Sequence, residues 1–328
     1  MNWIIALCAT IVYGYGRIGH SLSGRIAQAL LSDSANELVQ KLIPEYHGKL
    51  ELAANWGDTI KSNSSYDWAK SLHYINPVDD FPPKICSYHP DSKNDCPGNV
   101  CVVAAIHNYT NRLVHQTGIE KQEALKFLIH FIGDLHQPLH ATGRGRGGTQ
   151  ARVKFLGRFT NLHSIWDYMM FEKRIHDDFN NGSDHYSDYL LNAINTTWRS
   201  EIQDWLTCPQ KPQSVLLFQD TLLSVPALPK PTTECENVMN GACISKHIKS
   251  LICRDPLCHD INLTGLDSLV CPEVWAKYSN LANCMNVWKG YQKKGEVGLP
   301  YYTKNILVEE KMLAQAAVRM AAIIEGNQ

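Results

Sequence analysis

The chain has 328 residues, of which 44% are apolar and only 19% charged, and its formal charge is −1. That is enough apolar material for a sizeable buried core, in about one or two domains on length alone. Near-neutrality argues against a protein that holds nucleic acid through phosphate contacts along a basic face. It leaves open an enzyme whose metal ions supply positive charge locally.

Residues 1–14, MNWIIALCATIVYG, read as a secretory signal. An apolar stretch from Trp3 to Val12 leads to Val12 and Gly14 at the −3 and −1 positions, and it is too short to span a bilayer. Cleavage after Gly14 makes Tyr15 the mature N-terminus. Residues 20–31 carry apolar positions at helical spacing, and Ser34 with Glu37 forms a capping-box pattern for a helix running toward Leu42 and stopped by Pro44. Residues 120–135 predict a strong amphipathic helix with Ala124, Leu125, Leu128, Ile129 and Ile132 on one side. Pro138 then turns the chain back. The stretch GRGRGG (143–148) lacks the Gly-Lys-Ser/Thr ending of a phosphate loop and is expected to be a mobile loop. Arg152–Leu156 alternates before Gly157, which predicts a short hairpin. Residues 163–173 and 308–324 read as helices. The segment 208–270, rich in Pro, Cys and Ser, reads as a disulfide-pinned insertion or long loop. The fold class is therefore mainly α: a single helical domain over 15–328 with a short β-hairpin.

Of eleven cysteines, Cys8 lies in the signal. The remaining ten, an even number in an exported chain, suggest about five disulfides. Zinc ribbons would want paired Cys-x-x-Cys knuckles, whereas Cys96/Cys101 and Cys253/Cys258 are each spaced by four residues. Cys96 is expected to pair with Cys101, and Cys86 with Cys271. Sequons at Asn63, Asn108, Asn181, Asn195 and Asn262 suggest a glycoprotein. With no terminal apolar anchor, the mature chain is expected to be a soluble monomer without stable membrane association. Its destination is the extracellular space or an acidic lumenal compartment.

Pairs of His and Asp at helical spacing carry the chemistry. His130 and Asp134 share a helix face at i,i+4, His163 and Asp167 repeat the spacing in NLHSIWD, and His140 follows in HQPLH. An imidazole and a carboxylate one turn apart suit one cation, and this donor set suits zinc. A single such pair is more often a surface ion pair. Here His130 lies in the apolar run FLIHFIG, where an unpartnered imidazole is costly to bury.

HFIGDLHQPLH (130–140), the Gly pair at 147–148 and NLHSIWD (161–167) resemble the class I nuclease family, zinc-dependent single-strand-specific nucleases and 3′-nucleotidases related in fold to bacterial zinc-dependent phospholipase C. YGRIGH (15–20), ANWGDTIK (54–61), LHYIN (72–76), CVVAAIHNYT (101–110) and AQAAVRMAAII (314–324) extend the resemblance over most of the mature chain, and it fades across 208–270. The resemblance implies three zinc ions. Asp58, His73, His130 and Asp134 would hold the first, and His140, His163 and Asp167 the second. His20, a bridging Asp134 and the main-chain amine and carbonyl of Tyr15 would hold the third. It further implies a hydroxide bridging the first and third ions that attacks phosphorus, giving 5′-phosphate products from single-stranded DNA, RNA and 3′-nucleotides. Asp58 and Asp134 would be catalytic through the metals, Lys61 would contact the phosphate, and Tyr74 and Asn76 would bind the base. Two positions depart from the family pattern: Tyr15 replaces a Trp, with looser packing expected around it, and Thr149 replaces an Asn. His136, one turn before His140, is not part of the ligand pattern. A zinc-dependent phospholipase C and a non-catalytic secreted zinc glycoprotein are the alternatives.

Overall fold

The computed structural model describes residues 15–78, 87–208 and 269–327. The signal segment, Cys86, Asn262 and nearly all of the 208–270 segment lie outside the described residues.

Eight α-helices of ten residues or more carry the described fold: α1 (Arg17–Ala29), α2 (Asp33–Leu42), α3 (Val102–His115), α4 (Gly118–Leu135), α5 (Met170–Phe179), α6 (Ser183–Asn195), α7 (Pro272–Ala282) and α8 (Leu299–Glu325). Two of them form the centre. From Ala124 to Leu135 every residue of α4 is buried, and so is every residue of α8 from Val308 to Glu325. A helix buried on all sides must be wrapped by others. Around α4 lie α1, α3 and α7, and around α8 lie α1, α5, α6 and the short helix Ile202–Leu206. The mainly helical expectation holds, and the ends of α4 fall within two residues of those expected.

The start of α2 differs from the sequence reading. Ser32, not Ser34, is the N-cap, and its hydroxyl oxygen accepts the Ala35 N–H. Ser32 has the extended backbone a cap requires. Its hydroxyl and amide also bind the carboxylate of Glu325 at the far end of the chain. A partner 293 residues away therefore selects the cap, and no local pattern can show that.

The expected hairpin is present as β1 (Arg152–Phe155) and β2 (Arg158–Asn161), antiparallel with Lys154 opposite Phe159. A third strand, β3 (Glu296–Val297), adds to β1 in parallel. Val153 and Phe155 point into the core, and Arg152 is exposed. The GRGRGG stretch, expected as a mobile loop, is a run of tight turns closed by backbone bonds from Gly148 to Arg144, Gln150 to Gly145 and Ala151 to Gly148.

Cys96 and Cys101 are disulfide-bonded, with Cα atoms 5.3 Å apart. Cys271 is bonded to Cys208, with Cα atoms 5.7 Å apart, so the expected pairing with Cys86 is corrected. A sulfur makes one such bond, and the end of the Ile202–Leu206 helix lies against the N-cap of α7, where Cys271 sits. Asn63, Asn108 and Asn181 are exposed and Asn195 is half-buried. No helix among the described residues is long and apolar enough to cross a membrane.

Non-reducing peptide mapping is expected to recover Cys208 and Cys271 in one linked fragment, and Cys208→Ala to destabilise the fold by about 2–4 kcal/mol. Recovery of Cys271 linked to Cys86 would contradict this pairing.

Candidate metal centre

Eight side chains expected as metal ligands converge in three groups of donors: His20 with Asp58 and His130, His73 with His130 and Asp134, and His140 with His163 and Asp167. None is more than 6% exposed. They come from six separate pieces of chain. His20 lies on α1, Asp58 on the turn Trp56–Thr59, and His73 at the end of the 3-10 segment Ser64–His73. His130 and Asp134 share a face of α4, and His140 closes the turn Pro138–His140. His163 lies in the turn Leu162–Ser164, and Asp167 in the π-helical stretch Ile165–Met169 that follows. The wider π turn is a local departure from α geometry of the kind often found at functional sites.

Both i,i+4 pairs close as their spacing predicts, with His130 Nε2 3.2 Å from Asp134 Oδ2 and His163 Nε2 3.1 Å from Asp167 Oδ2. Asp134 is the hub. His73 Nδ1 lies 2.7 Å from Oδ2, and His20 Nε2 and His140 Nδ1 lie 3.3 and 3.5 Å from Oδ1. Asp58 Oδ1 is 3.6 Å from His130 Nε2. The groups therefore share members, with His130 common to two of them.

Backbone carbonyls orient the imidazoles. The Nδ1–H of His130 donates to Ala54 O at 2.7 Å, that of His140 to His73 O at 2.7 Å, and that of His163 to Gly147 O at 2.6 Å. Each turns Nε2 toward the site, the arrangement that fixes a ligating tautomer once that nitrogen gives up its proton to a metal. A parallel bridge between Ile75 and Ala141, with the Ile75 amide donating to His140 O, locks the His73 and His140 segments together. Gly147 has φ +59, and a Cβ there would meet Leu139 O at 2.8 Å. The close approach explains the glycine that presents its carbonyl to His163. At Gly57 a Cβ would lie 2.6 Å from the His130 ring, so that glycine leaves room for the imidazole.

These groups suit a cation. Both ring nitrogens of His20, Oδ2 of Asp58, Nε2 of His73, Oδ1 of Asp134 and Nε2 of His140 are buried without a hydrogen-bond partner. Each such atom costs about 1–3 kcal/mol if nothing satisfies it. Burial pushes the imidazoles of His73 and His140 down, to about 4 and about 3, so both are neutral and free to ligate. Burial would push Asp58 and Asp134 up, but the adjacent imidazoles, His130 foremost, hold both carboxyls below the usual carboxylate range. Burial likewise disfavours a charge on His130, yet Asp134 and Asp58 outweigh it and raise that imidazole to about 10. Two ionised, buried carboxylates thus draw positive charge to this point, which a divalent cation on His/Asp donors satisfies. Asp167 is raised to about 6 by burial, against the opposing pull of His163 and Gln137.

Above the groups opens a cavity of about 1210 Å³ that reaches His73, His140 and His163. Lys61, Tyr74 and Asn76 line it as well. The Lys61 ammonium donates to Asp58 Oδ1 at 2.5 Å. Tyr74 is 38% exposed. Arg146 reaches the cavity, whereas Arg144 is buried with its guanidinium 3.6 Å from the Trp288 ring centroid. Thr149 also lines the cavity, and its hydroxyl donates to Arg146 O at 2.9 Å, closing the loop turn. His136 is occupied elsewhere, between Ile132 O and Arg319.

Tyr15 is fully buried. Its ring meets His20 edge-on at 6.1 Å and packs on Phe171, and its hydroxyl donates to His136 O at 3.2 Å. The Gly16 amide donates to Asp167 O at 2.9 Å, which holds this segment against the second ligand pair. Two polar neighbours stand outside the ligand pattern read from the sequence. Gln137 Nε2 donates to Asp167 Oδ1 at 2.5 Å. Glu309 on α8 is fully buried with neither oxygen hydrogen-bonded; burial first, then Asp167 and Glu310, push it well above the usual carboxylate range.

Gly57→Ala is expected to weaken metal binding about 10–100-fold, the range for losing the support of a ligand. Competition against a chromophoric chelator reads this directly; unchanged affinity would show that His130 is not a ligand.

Comparison with known proteins places the geometry in a family. The sequence model of the S1/P1 Nuclease family matches residues 15–226. Endonuclease 2 of Arabidopsis thaliana is 35% identical over 223 residues, covering 64% of this chain and 73% of that protein. Nuclease S1 of Aspergillus oryzae is 36% identical over 200 residues, covering 60% and 69%. Nuclease P1 of Penicillium citrinum is 37% identical over 165 residues, covering 49% and 60%.

Proposed function

The chain belongs to the S1/P1 nuclease family, and from that premise we propose that it is a zinc-dependent endonuclease hydrolysing single-stranded DNA and RNA to 5′-phosphate products, with 3′-nucleotidase activity. The observation that carries this reading is the stack of three buried His/Asp groups at the foot of a cavity walled by Lys61, Tyr74 and Asn76. Three zinc ions are proposed. Asp58, His73, His130 and Asp134 would hold one, His140, His163 and Asp167 a second, and His20 with Asp134 and the main-chain amine and carbonyl of Tyr15 a third. Bound zinc supplies Lewis acidity, which acidifies water and stabilises charge on phosphate oxygens.

The protein's own groups do the rest. Asp58 and Asp134 stay ionised although buried and fix the charge balance. Lys61, tethered to Asp58 at the cavity wall, offers its ammonium to a phosphate oxygen and stabilises charge that grows in the transition state. Tyr74 offers an exposed ring for a base to stack on, and Asn76 a polar edge. Stacking tolerates any base but needs it out of a duplex, which accounts for a single-strand preference.

The match begins at Tyr15, and this supports a mature chain starting there, whose free amine could ligate only after cleavage. The proposed mature protein is a monomer with one domain over 15–328, secreted or delivered to an acidic lumen. It is glycosylated at sequons among Asn63, Asn108, Asn181, Asn195 and Asn262.

Denatured DNA, RNA and 3′-AMP are expected to be cleaved and chelator to abolish it, while duplex DNA and phosphatidylcholine resist. His163→Ala should lose on the order of 100-fold or more on denatured DNA. Cleavage of phosphatidylcholine alone would move the reading to a phospholipase C, and full activity of the variant would remove the role given to His163.

A further inference from the structure

The sequon at Asn63 stands apart from the others in where the fold puts it. Lys61 and Ser62, the two residues before it, line the cavity, and so does Lys70 in the 3-10 segment that follows. Asn63 is exposed and one peptide unit, about 3.8 Å between Cα atoms, from Ser62. Among the described sequons no other has a chain neighbour in the cavity wall: Asn108 lies within α3, Asn181 between α5 and α6, and Asn195 at the end of α6.

The amide of Asn63 has one structural end and one open end. Its Oδ1 accepts the Ser65 N–H at 3.1 Å and so caps the 3-10 segment, while no described residue accepts from Nδ2. Ser65, which completes Asn-Ser-Ser, is exposed as well. Beside this turn stands Trp68, whose indole N–H donates to the Ser65 carbonyl at 3.0 Å. Tyr66 and Phe127 pack on Trp68 with ring centroids 5.9 and 5.7 Å away, yet it stays 50% exposed. A large ring fixed in place and open to water is a platform for a group that is apolar on one face and polar at its edges. A pyranose sugar, with its C–H faces and peripheral hydroxyls, is such a group.

We propose that Asn63 carries an N-linked glycan whose first sugars pack on Trp68, so that carbohydrate forms part of the cavity rim and restricts access to flexible strands. In the transfer, Nδ2 bonds to the anomeric carbon of an oligosaccharide carried on a lipid pyrophosphate. The sugar–phosphate bond breaks, the lipid pyrophosphate leaves, and Nδ2 loses one proton. Oδ1 takes no part, so the cap on Ser65 survives. The glycan is a bulky, hydrophilic obstacle at the mouth of the cavity. Duplex DNA, stiff over about 150 base pairs, does not bend around it, whereas a single strand threads past. Sterics at the rim thus add to the stacking preference inside. Occupancy of Asn63 deepens the glycoprotein reading, and its consequence rests on the reading of the chain as a single-strand nuclease.

The test uses zinc-loaded protein secreted from a glycosylating eukaryotic host as wild type, Ser65→Ala, Ser65→Thr and Trp68→Leu. Ser65→Ala removes the sequon but keeps the Asn63 cap, and Ser65→Thr keeps both. Peptide mass mapping, before and after enzymatic release of glycans, reads occupancy at Asn63. Cleavage of 3′-AMP, a short single-stranded oligonucleotide and its duplex reads the access filter. Ser65→Ala is expected to lose the glycan at Asn63 and to raise the duplex-to-single-strand ratio of kcat/KM severalfold, with 3′-AMP unchanged. Ser65→Thr should match wild type, and Trp68→Leu should keep the glycan yet show part of the gain. The 3′-AMP rate also reports that each variant is folded. An unmodified Asn63 in wild type would overturn the proposal, and so would equal ratios for wild type and Ser65→Ala. A wild-type ratio in glycosylated Trp68→Leu would remove the packing on that ring. A wild type that cleaves none of the three substrates would refute the nuclease reading, while a glycan mapped to Asn63 would still support the modification site.

Discussion

A carboxylate with no exposed surface, Asp134, lies within 3.5 Å of four imidazoles contributed by α1, α4, the 3-10 segment before it and the turn after it. An ionised group this deep is tolerable only if positive charge surrounds it. That constraint organises the molecule. Because α4 must carry both His130 and Asp134 into the centre, its last three turns are enclosed on every side, and α1, α3, α7 and α8 provide the enclosure. The carbonyls of Ala54, His73 and Gly147, each in or beside a short turn, hold imidazoles in place. The donors are buried and oriented by hydrogen bonds, which is what a preorganised metal site requires.

Some of the protein's positive charge is gathered close to the site. Lys61 is tethered to a ligand carboxylate, and Arg146 reaches the same cavity. Near-zero net charge is compatible with a polyanionic substrate under these conditions, since local potential at the point of contact matters more than the sum over the chain.

The parts legible in the sequence are those whose signals are local. Two His/Asp pairs at i,i+4 share a helix face by geometry, and the patterns at 120–135 and 308–324 announce helices, although not their burial on every side. The alternation at 152–156 announces the hairpin. Motif resemblance supplied Asp58, His73 and His20, whose neighbourhoods give no metal signal by themselves. Legibility ends where a residue's role depends on a distant partner. Gln137 looks like an ordinary turn residue until Asp167 is beside it, and Glu309 looks like a surface charge on a helix. Gly57 is explained only by the ring of His130, Ser32 only by Glu325, and Cys271 only by Cys208. Tyr15, where the family pattern has Trp, is held by its phenol, which reaches the His136 carbonyl at the turn that ends α4.

The central claim is that these donors hold three zinc ions in a chain beginning at Tyr15. A crystal structure of the secreted protein, with anomalous diffraction collected on both sides of the zinc edge, tests it most directly. Three peaks are predicted: one among Asp58, His73, His130 and Asp134, one among His140, His163 and Asp167, and one beside His20 and the Tyr15 amine. Two peaks with an uncleaved N-terminus, or any zinc site that leaves Asp134 without a metal, would contradict the account.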